Sequence, residues 1–327
     1  MQQELAQIVR VLEISLPIFV LIGLGALLRW VGMVGPKIQS FLSSFVYRIC
    51  LPVIIFFAIA PEDFGAMMNG AVIGGTLIGA GLTAVLFWFL SMRMPERVRA
   101  PLVVSTFFAN TAFIGFPLVR SAYPTSGMMY AGIINAVAMP IYYIASVLIL
   151  ETGEAEHGRF KAAAISVVKN PVLLAAVAGL ITSGILHETG LGETVGAWPG
   201  APAVLGVITD TADMIGNMGL PLALIAVGAA LKLSYVRHHW SWMAAGSAGK
   251  LFMAPFAGLL LFRLFFTGTA APALGSAVLL LGCPMAVGIY VISREMDVDD
   301  DYMAGTLVLS TIAAAFTIPF WLYVLGV

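Results

Sequence analysis

The apolar positions of this chain follow neither a helical nor a strand period. They run on for about twenty residues at a time between short polar breaks, the length that crosses a ~30 Å hydrocarbon core at ~1.5 Å per residue. Ten such runs are present, at 11–33, 37–59, 69–91, 99–121, 127–150, 170–187, 204–231, 243–265, 272–294 and 302–325. Backbone in lipid must satisfy its own hydrogen bonds, so each run is predicted to be a helix. The alternating ten-residue strands of a transmembrane barrel are absent from the pattern. The expectation is an all-α integral membrane protein of ten transmembrane helices. The first run exceeds the length of a secretory leader and carries Glu13 and Pro17, so it is expected to remain as a span.

The longest polar break, 151–169, separates a first group of five spans (1–150) from a second (170–327). The groups echo each other. Leu51-Pro52 in span 2 is matched by Leu220-Pro221 in span 7, and a Gly- and Pro-bearing stretch in span 4 by another in span 9. Five is odd, so a repeat of this kind must be inverted in the membrane, as it is in many transporters. The loops after spans 1, 3, 5, 7 and 9 hold Arg29, Lys37, Arg93, Arg97, Arg99, Arg159, Lys161, Lys169, Lys232, Arg237 and Arg294. The opposite side holds Arg10, Arg120 and Arg263. The richer side is expected to face the cytoplasm, with 151–169 a cytoplasmic connection and both termini outside an inner (plasma) membrane.

Composition sharpens this picture. The chain of 327 residues is 60% hydrophobic and 10% charged, with mean hydropathy +0.99. A soluble protein of that length needs more charge to cover its surface. A net charge of −1 gives no reason to expect a nucleic-acid partner. Cys50 and Cys283 lie in separate apolar runs and form neither a disulfide framework nor a metal-ligand spacing. His157, His187, His238 and His239 fall in loops or at helix ends, and the adjacent pair reads as interfacial. No cofactor or metal is expected. A membrane enzyme would need a His-Glu-x-x-His pattern, a Ser/Lys pair or paired intramembrane carboxylates, and none is visible.

Candidate chemistry concentrates where helices should break. Asn110, Thr111, Gly115 and Pro117 cluster in span 4, and Gly282, Cys283, Pro284 and Gly288 in span 9. Proline removes a backbone donor and frees a carbonyl a turn earlier, and glycine weakens the helix around it. Broken backbone at membrane depth persists only inside protein or against a cavity, and half-helix N-termini suit an anion. Charged residues within spans each need a reason, because burial costs them at least ~2.5 kcal/mol at mid-helix. Lys250, flanked by Gly246, Ser247 and Gly249, is the leading candidate for a cation beside an anion's path. Arg48 either snorkels to the interface or faces that path. Asn135, Tyr142, Tyr143 and Asn217 are weaker candidates for a cavity wall, and Asp210 and Asp213 read as structural residues early in span 7.

Taken in order, these stretches resemble the auxin efflux carrier family, which includes the plant PIN-FORMED exporters and many bacterial carriers. The stretch Asn110-Thr111-Ala112-Phe113-Ile114-Gly115-Phe116-Pro117 is similar to the family's Asn-x-x-x-x-Gly-x-Pro break. Lys169-Asn170-Pro171, Gly219-Leu220-Pro221 with Gly228, Lys250 with Pro255, and Cys283-Pro284 followed by Arg294-Glu295 extend the likeness over essentially the whole chain. The resemblance implies two inverted five-helix repeats with spans 4 and 9 crossing at their breaks. It implies a scaffold part (spans 1, 2, 6, 7) and a transport part (spans 3–5, 8–10), elevator-type motion and a homodimer. It further implies a small organic anion as substrate, with malonate or malate fitting better than auxin. The long central loop of the plant exporters is missing, and Ile289 and Met285 depart from their span 9. A sodium-coupled carrier of the bile-acid type is the alternative. It would call for acidic ligands beside the crossing, where this sequence offers mainly neutral groups.

Overall fold

A computed structural model describes residues 2–61, 70–150, 169–189, 200–231, 240–293 and 298–327. Most of the 151–169 connection lies outside these residues, as do His157, His238, His239, Arg159, Lys161, Lys232, Arg237, Arg294 and Glu295. The described chain is helical. In order it forms α1 (Gln2–Trp30), α2 (Pro36–Ile59), α3 (Gly70–Leu90), α4 (Glu96–Phe107), α5 (Phe116–Ala122), α6 (Gly127–Leu150), α7 (Pro171–Glu188), α8 (Ala201–Ala230), α9 (Trp240–Leu264), α10 (Ala271–Leu281), α11 (Val287–Ser293) and α12 (Asp300–Leu325). Among the described residues seven helices are long and apolar enough to cross a membrane: α1, α2, α3, α6, α8, α9 and α12. Three shorter apolar stretches lie in α4, α7 and α10.

The outer surface is apolar rather than charged, with Leu16, Val207 and Phe316 more than half exposed. Hydroxyls within the helices turn back onto their own backbone, as Thr76 does to the Val72 carbonyl and Thr83 to that of Gly79. Both features suit a solvent that offers no hydrogen bonds. Helix α1 packs along α8, α2 against α7 and α8, α3 against α9, and α9 against α12.

Three of the proline positions widen the helix locally. Wide π turns occupy Val46–Cys50, Thr111–Gly115 and Gly249–Met253, each ending two residues before a proline (Pro52, Pro117, Pro255). Proline donates no hydrogen bond and its ring collides with the carbonyl four residues back, so the ladder shifts by one residue. The Leu251 carbonyl released in this way accepts Trp321 Nε1 at 2.7 Å. Pro17, Pro140, Pro221 and Pro319 sit within uninterrupted α-helices.

The fourth and ninth runs are each interrupted, in the stretches where the sequence places its weak points. Each is two arms, α4 then α5 and α10 then α11, separated by non-helical backbone at Phe108–Asn110 and Gly282–Ala286. Pro117 and Gly288 therefore lie in the second arms, not at the breaks. Pro117 follows the wide turn Thr111–Gly115 within the second arm, seven residues past the Asn110 cap. The break itself is set by Asn110, whose side chain caps the turn that follows.

Candidate functional site

The two breaks meet. Asn110 N donates to the Pro284 carbonyl at 2.8 Å and Ala286 N to the Phe108 carbonyl at 3.1 Å, making an antiparallel bridge of Ala109 with Met285. Backbone groups that the helices abandon are thus satisfied by the opposite break, at a point where Phe108, Asn110, Cys283 and Met285 are all buried.

Against one side of this crossing lies a cavity of about 940 Å³. Phe108–Phe113 and Ala286–Gly288 form its floor. Its walls come from one half of each surrounding helix: Gln39 to Arg48 of α2, Met139 to Tyr143 of α6, Lys169 to Leu173 at the start of α7, and Ala226 and Val227 near the end of α8. Tyr47 stacks on Phe113 at 6.4 Å and Tyr143 sits edge-on to Phe108 at 5.7 Å, so aromatic rings clothe the lower wall. Among the described residues the lining contains two cations, Arg48 and Lys169, and no carboxylate. Among the described residues neither cation has an ion-pair partner.

The polar centre of the floor is Asn110. Its Oδ1 accepts from Phe113 N at 3.4 Å, which leaves Nδ2 to point elsewhere, and Nδ2 is buried without a partner. The neighbouring Thr111 and Ala112 amides stand at a helix start, where no carbonyl of the same helix reaches them. An orphaned buried donor costs about 1–3 kcal/mol, so Asn110 Nδ2 leaves an uncompensated polar group at the crossing.

Residues 10–322 match the membrane transport protein family. The chain belongs to this family, the auxin efflux carriers that its motifs resemble. It is also similar, at 24% identity over 320 residues, to an uncharacterized transporter of Methanothermobacter thermautotrophicus, covering 96% of this chain and 98% of that protein. The protein is therefore a multi-pass membrane transport protein, and the crossing is the place in it to look for cargo.

Within this transporter the sequence-predicted site residues separate into two sets. Asn110, Thr111, Gly288 and Arg48 line the cavity. A Cβ built on Gly288 meets nothing within 4 Å, so this glycine opens onto free space. Gly115, Pro117, Cys283, Pro284 and Lys250 stand behind the floor. A Cβ on Gly115 would lie 2.6 Å from Leu280 and 3.3 Å from Cys283 Sγ, so its smallness serves close packing of the arms. Cys283 Sγ is directed to the Leu279 carbonyl at 3.3 Å, and Pro284 contributes its carbonyl to the bridge.

Lys250 is wholly buried, and its Nζ reaches the carbonyls of Leu281 at 2.7 Å and Phe107 at 3.4 Å. Those are the last residues of α10 and α4. The ammonium thus caps the negative ends of both first arms, and it does not line the cavity. Thr111 Oγ1 donates to Asn135 Oδ1 at 2.5 Å, and Asn135 and Tyr142 line a second void of about 10 Å³ behind the floor. Asn217 lies apart from both, bonded to Arg120. The sequence assigns no role at the site to Gln39, Ser43 or Tyr47, which lie four residues apart on one face of α2 within a run that is otherwise mostly hydrophobic. Lys169 and Asn170 entered only through a helix-start motif.

Proposed function

We propose that this transporter carries a small organic anion, a carboxylate or dicarboxylate, by alternating access, with the anion held on the floor of the cavity. The observation that carries the reading is the charge of the lining: among the described residues two unpaired cations and no carboxylate, with the unpartnered Asn110 Nδ2 buried beside the floor. A carboxylate supplies acceptors to that amide and to the helix-start N–H groups, while Arg48 and Lys169 offset its lost hydration. A cationic cargo would meet only repulsion there.

The packing supports an inverted repeat. Exchanging each helix of one half for its counterpart in the other turns observed contacts into observed contacts: α1 on α8 corresponds to α7 on α2, and α3 on α4 to α9 on α10. In this reading α1, α2, α7 and α8 form the scaffold. The crossing with α3, α6, α9 and α12 moves along them as an elevator, so that the cavity, now open toward the Lys169 side, opens to the other. By the distribution of Lys and Arg that side is cytoplasmic. A cysteine at Glu154 should then escape impermeant reagent added to intact cells, and clear labelling there would reverse the orientation.

The test of function is uptake into proteoliposomes with labelled mono- and dicarboxylates and an organic cation, under separately imposed proton, sodium and potential gradients. Saturable movement of a carboxylate, abolished by Asn110→Asp, is the expected result. Transport of the cation alone would overturn the reading, and strict sodium dependence would favour the bile-acid type of coupling.

A further inference from the structure

Away from the cavity, on the opposite side of the crossing, one polar contact joins the second arm of the broken span to the scaffold. Arg120, near the end of α5, donates from Nη2 to Asn217 Oδ1 of α8 at 2.9 Å. Its Nη1 is buried and has no partner. The guanidinium rests beside Gly216, where a Cβ would lie 3.5 Å from Nη1 and press into Ile54 at 2.5 Å. Among the described residues this half-buried arginine is bonded to one neutral amide across an exposed contact, with one buried nitrogen left over, so it is under-satisfied.

Helix α8 offers better partners nearby. Asp213 and Asp210 precede Asn217 by four and seven residues, so all three share one face of the helix. At ~1.5 Å per residue they stand about 6 and 10.5 Å from Asn217 along the axis, toward the Ala201 end. Both carboxylates are exposed, and neither enters an ion pair among the described residues. The direction matters. The cavity lies beside Ala226 and Val227, at the other end of α8. Opening the far side requires the crossing, with α5 attached, to move toward Ala201, which carries Arg120 from Asn217 toward Asp213 and then Asp210.

We infer that Asn217, Asp213 and Asp210 form a track on α8 along which Arg120 steps during alternation, held by the amide in the present state and by a carboxylate in the opposite one. The inference rests on the alternating-access reading but not on the identity of the cargo. The track gives each end state its own polar contact across an interface that is otherwise largely apolar. The stronger, charge-assisted contact belongs to the state not seen here. An arginine at this position suits it better than lysine, because the fork of five donors can take up one partner before it releases the last.

The experiment is a double-mutant cycle read by cavity accessibility. Ser43, on the cavity wall, is replaced by cysteine in purified full-length protein, and its reaction rate with a thiol reagent reports the fraction of molecules open on the Lys169 side. Removing the track with Asp210→Asn plus Asp213→Asn should weaken the opposite state and speed labelling, shifting the ratio of the two states by up to about fivefold, the upper end for an exposed ion pair. Asn217→Ala should slow it. In an Arg120→Ala background both effects should vanish, because the carboxylates and the amide act through that one side chain. Arg120→Lys keeps the charge and should retain part of each effect, which covers the case in which the alanine variant fails to fold. Equal effects with and without Arg120, or no effect in either background, would overturn the track. The labelling needs no cargo: coupled rates with failed carboxylate uptake would sink the substrate reading alone, and intact uptake with uncoupled rates would sink the track alone.

Discussion

Asn110 plays two roles that a pair of substitutions separates. Its Oδ1 caps the turn at Phe113 N, and its Nδ2 is the buried donor left over. Asn110→Ala removes both. The cap bond is long at 3.4 Å, so its loss should cost the low end of the usual range for an N-cap, about 0.5–1 kcal/mol of stability. Loss of a hydrogen bond to a charged carboxylate is larger, about 1.5–3 kcal/mol, or roughly 10- to 150-fold in affinity. Asn110→Asp preserves the cap, and a carboxylate next to a helix N-terminus strengthens it. It also replaces the donor by a negative charge at the point where the anion sits. Asp should therefore hold or raise thermal stability while lowering affinity further than Ala does. The assay is ligand-dependent thermal stabilisation and calorimetric binding of the best carboxylate from the uptake panel, with each variant's unfolding temperature measured in the same detergent. If Asn110→Asp binds within threefold of the parent, the amide does not face the anion, and the floor of the cavity is packing alone.

Four further outcomes follow from the same geometry. Gly288→Leu projects into free space in the cavity. It should abolish binding with little change in unfolding temperature, and undiminished uptake would place the cargo elsewhere. At the α1–α8 contact a Cβ on Gly228 would fall on the Ile22 carbonyl, backbone against helix, with no flexible side chain to yield. Gly228→Ala should destabilise by at least the ~1–3 kcal/mol typical of overpacking, seen as a lower unfolding temperature whether or not anion is present. Lys250→Met strands the Phe107 and Leu281 carbonyls at about 1–3 kcal/mol each and should lower stability sharply, whereas Arg48→Ala should weaken binding at unchanged stability. A stable Lys250→Met that has lost only its affinity would show that the ammonium acts on the anion directly.

Much of this architecture is legible along the chain because lipid imposes it one segment at a time. A helix in hydrocarbon closes its own hydrogen bonds, so span length and loop charge are local properties, and the runs from 11–33 to 302–325 could be read without neighbours. The weak points in the fourth and ninth runs were legible for the same reason: Asn110 with Pro117, and Gly282 with Pro284, are locally incompatible with an unbroken helix. Where the chain actually parts was not. The second arm starts at Asn110 rather than at Pro117, which only widens the turn before it, and the opening at Phe108–Asn110 is closed by backbone hydrogen bonds with Pro284 and Ala286 of the ninth run. Sidedness around the crossing was likewise beyond the sequence. Lys250 and Arg48 are both isolated cations in apolar runs, and only packing sends one to cap two helix ends behind the floor and the other to the cavity wall. Asp210, Asp213 and Asn217 share a helical face by spacing alone, but their meaning depends on Arg120, 97 positions away from Asn217, which tertiary structure brings to the end of that row. Local backbone chemistry thus determined which segments form apolar helices and which of them weaken, while contacts between distant segments decided what each polar side chain faces.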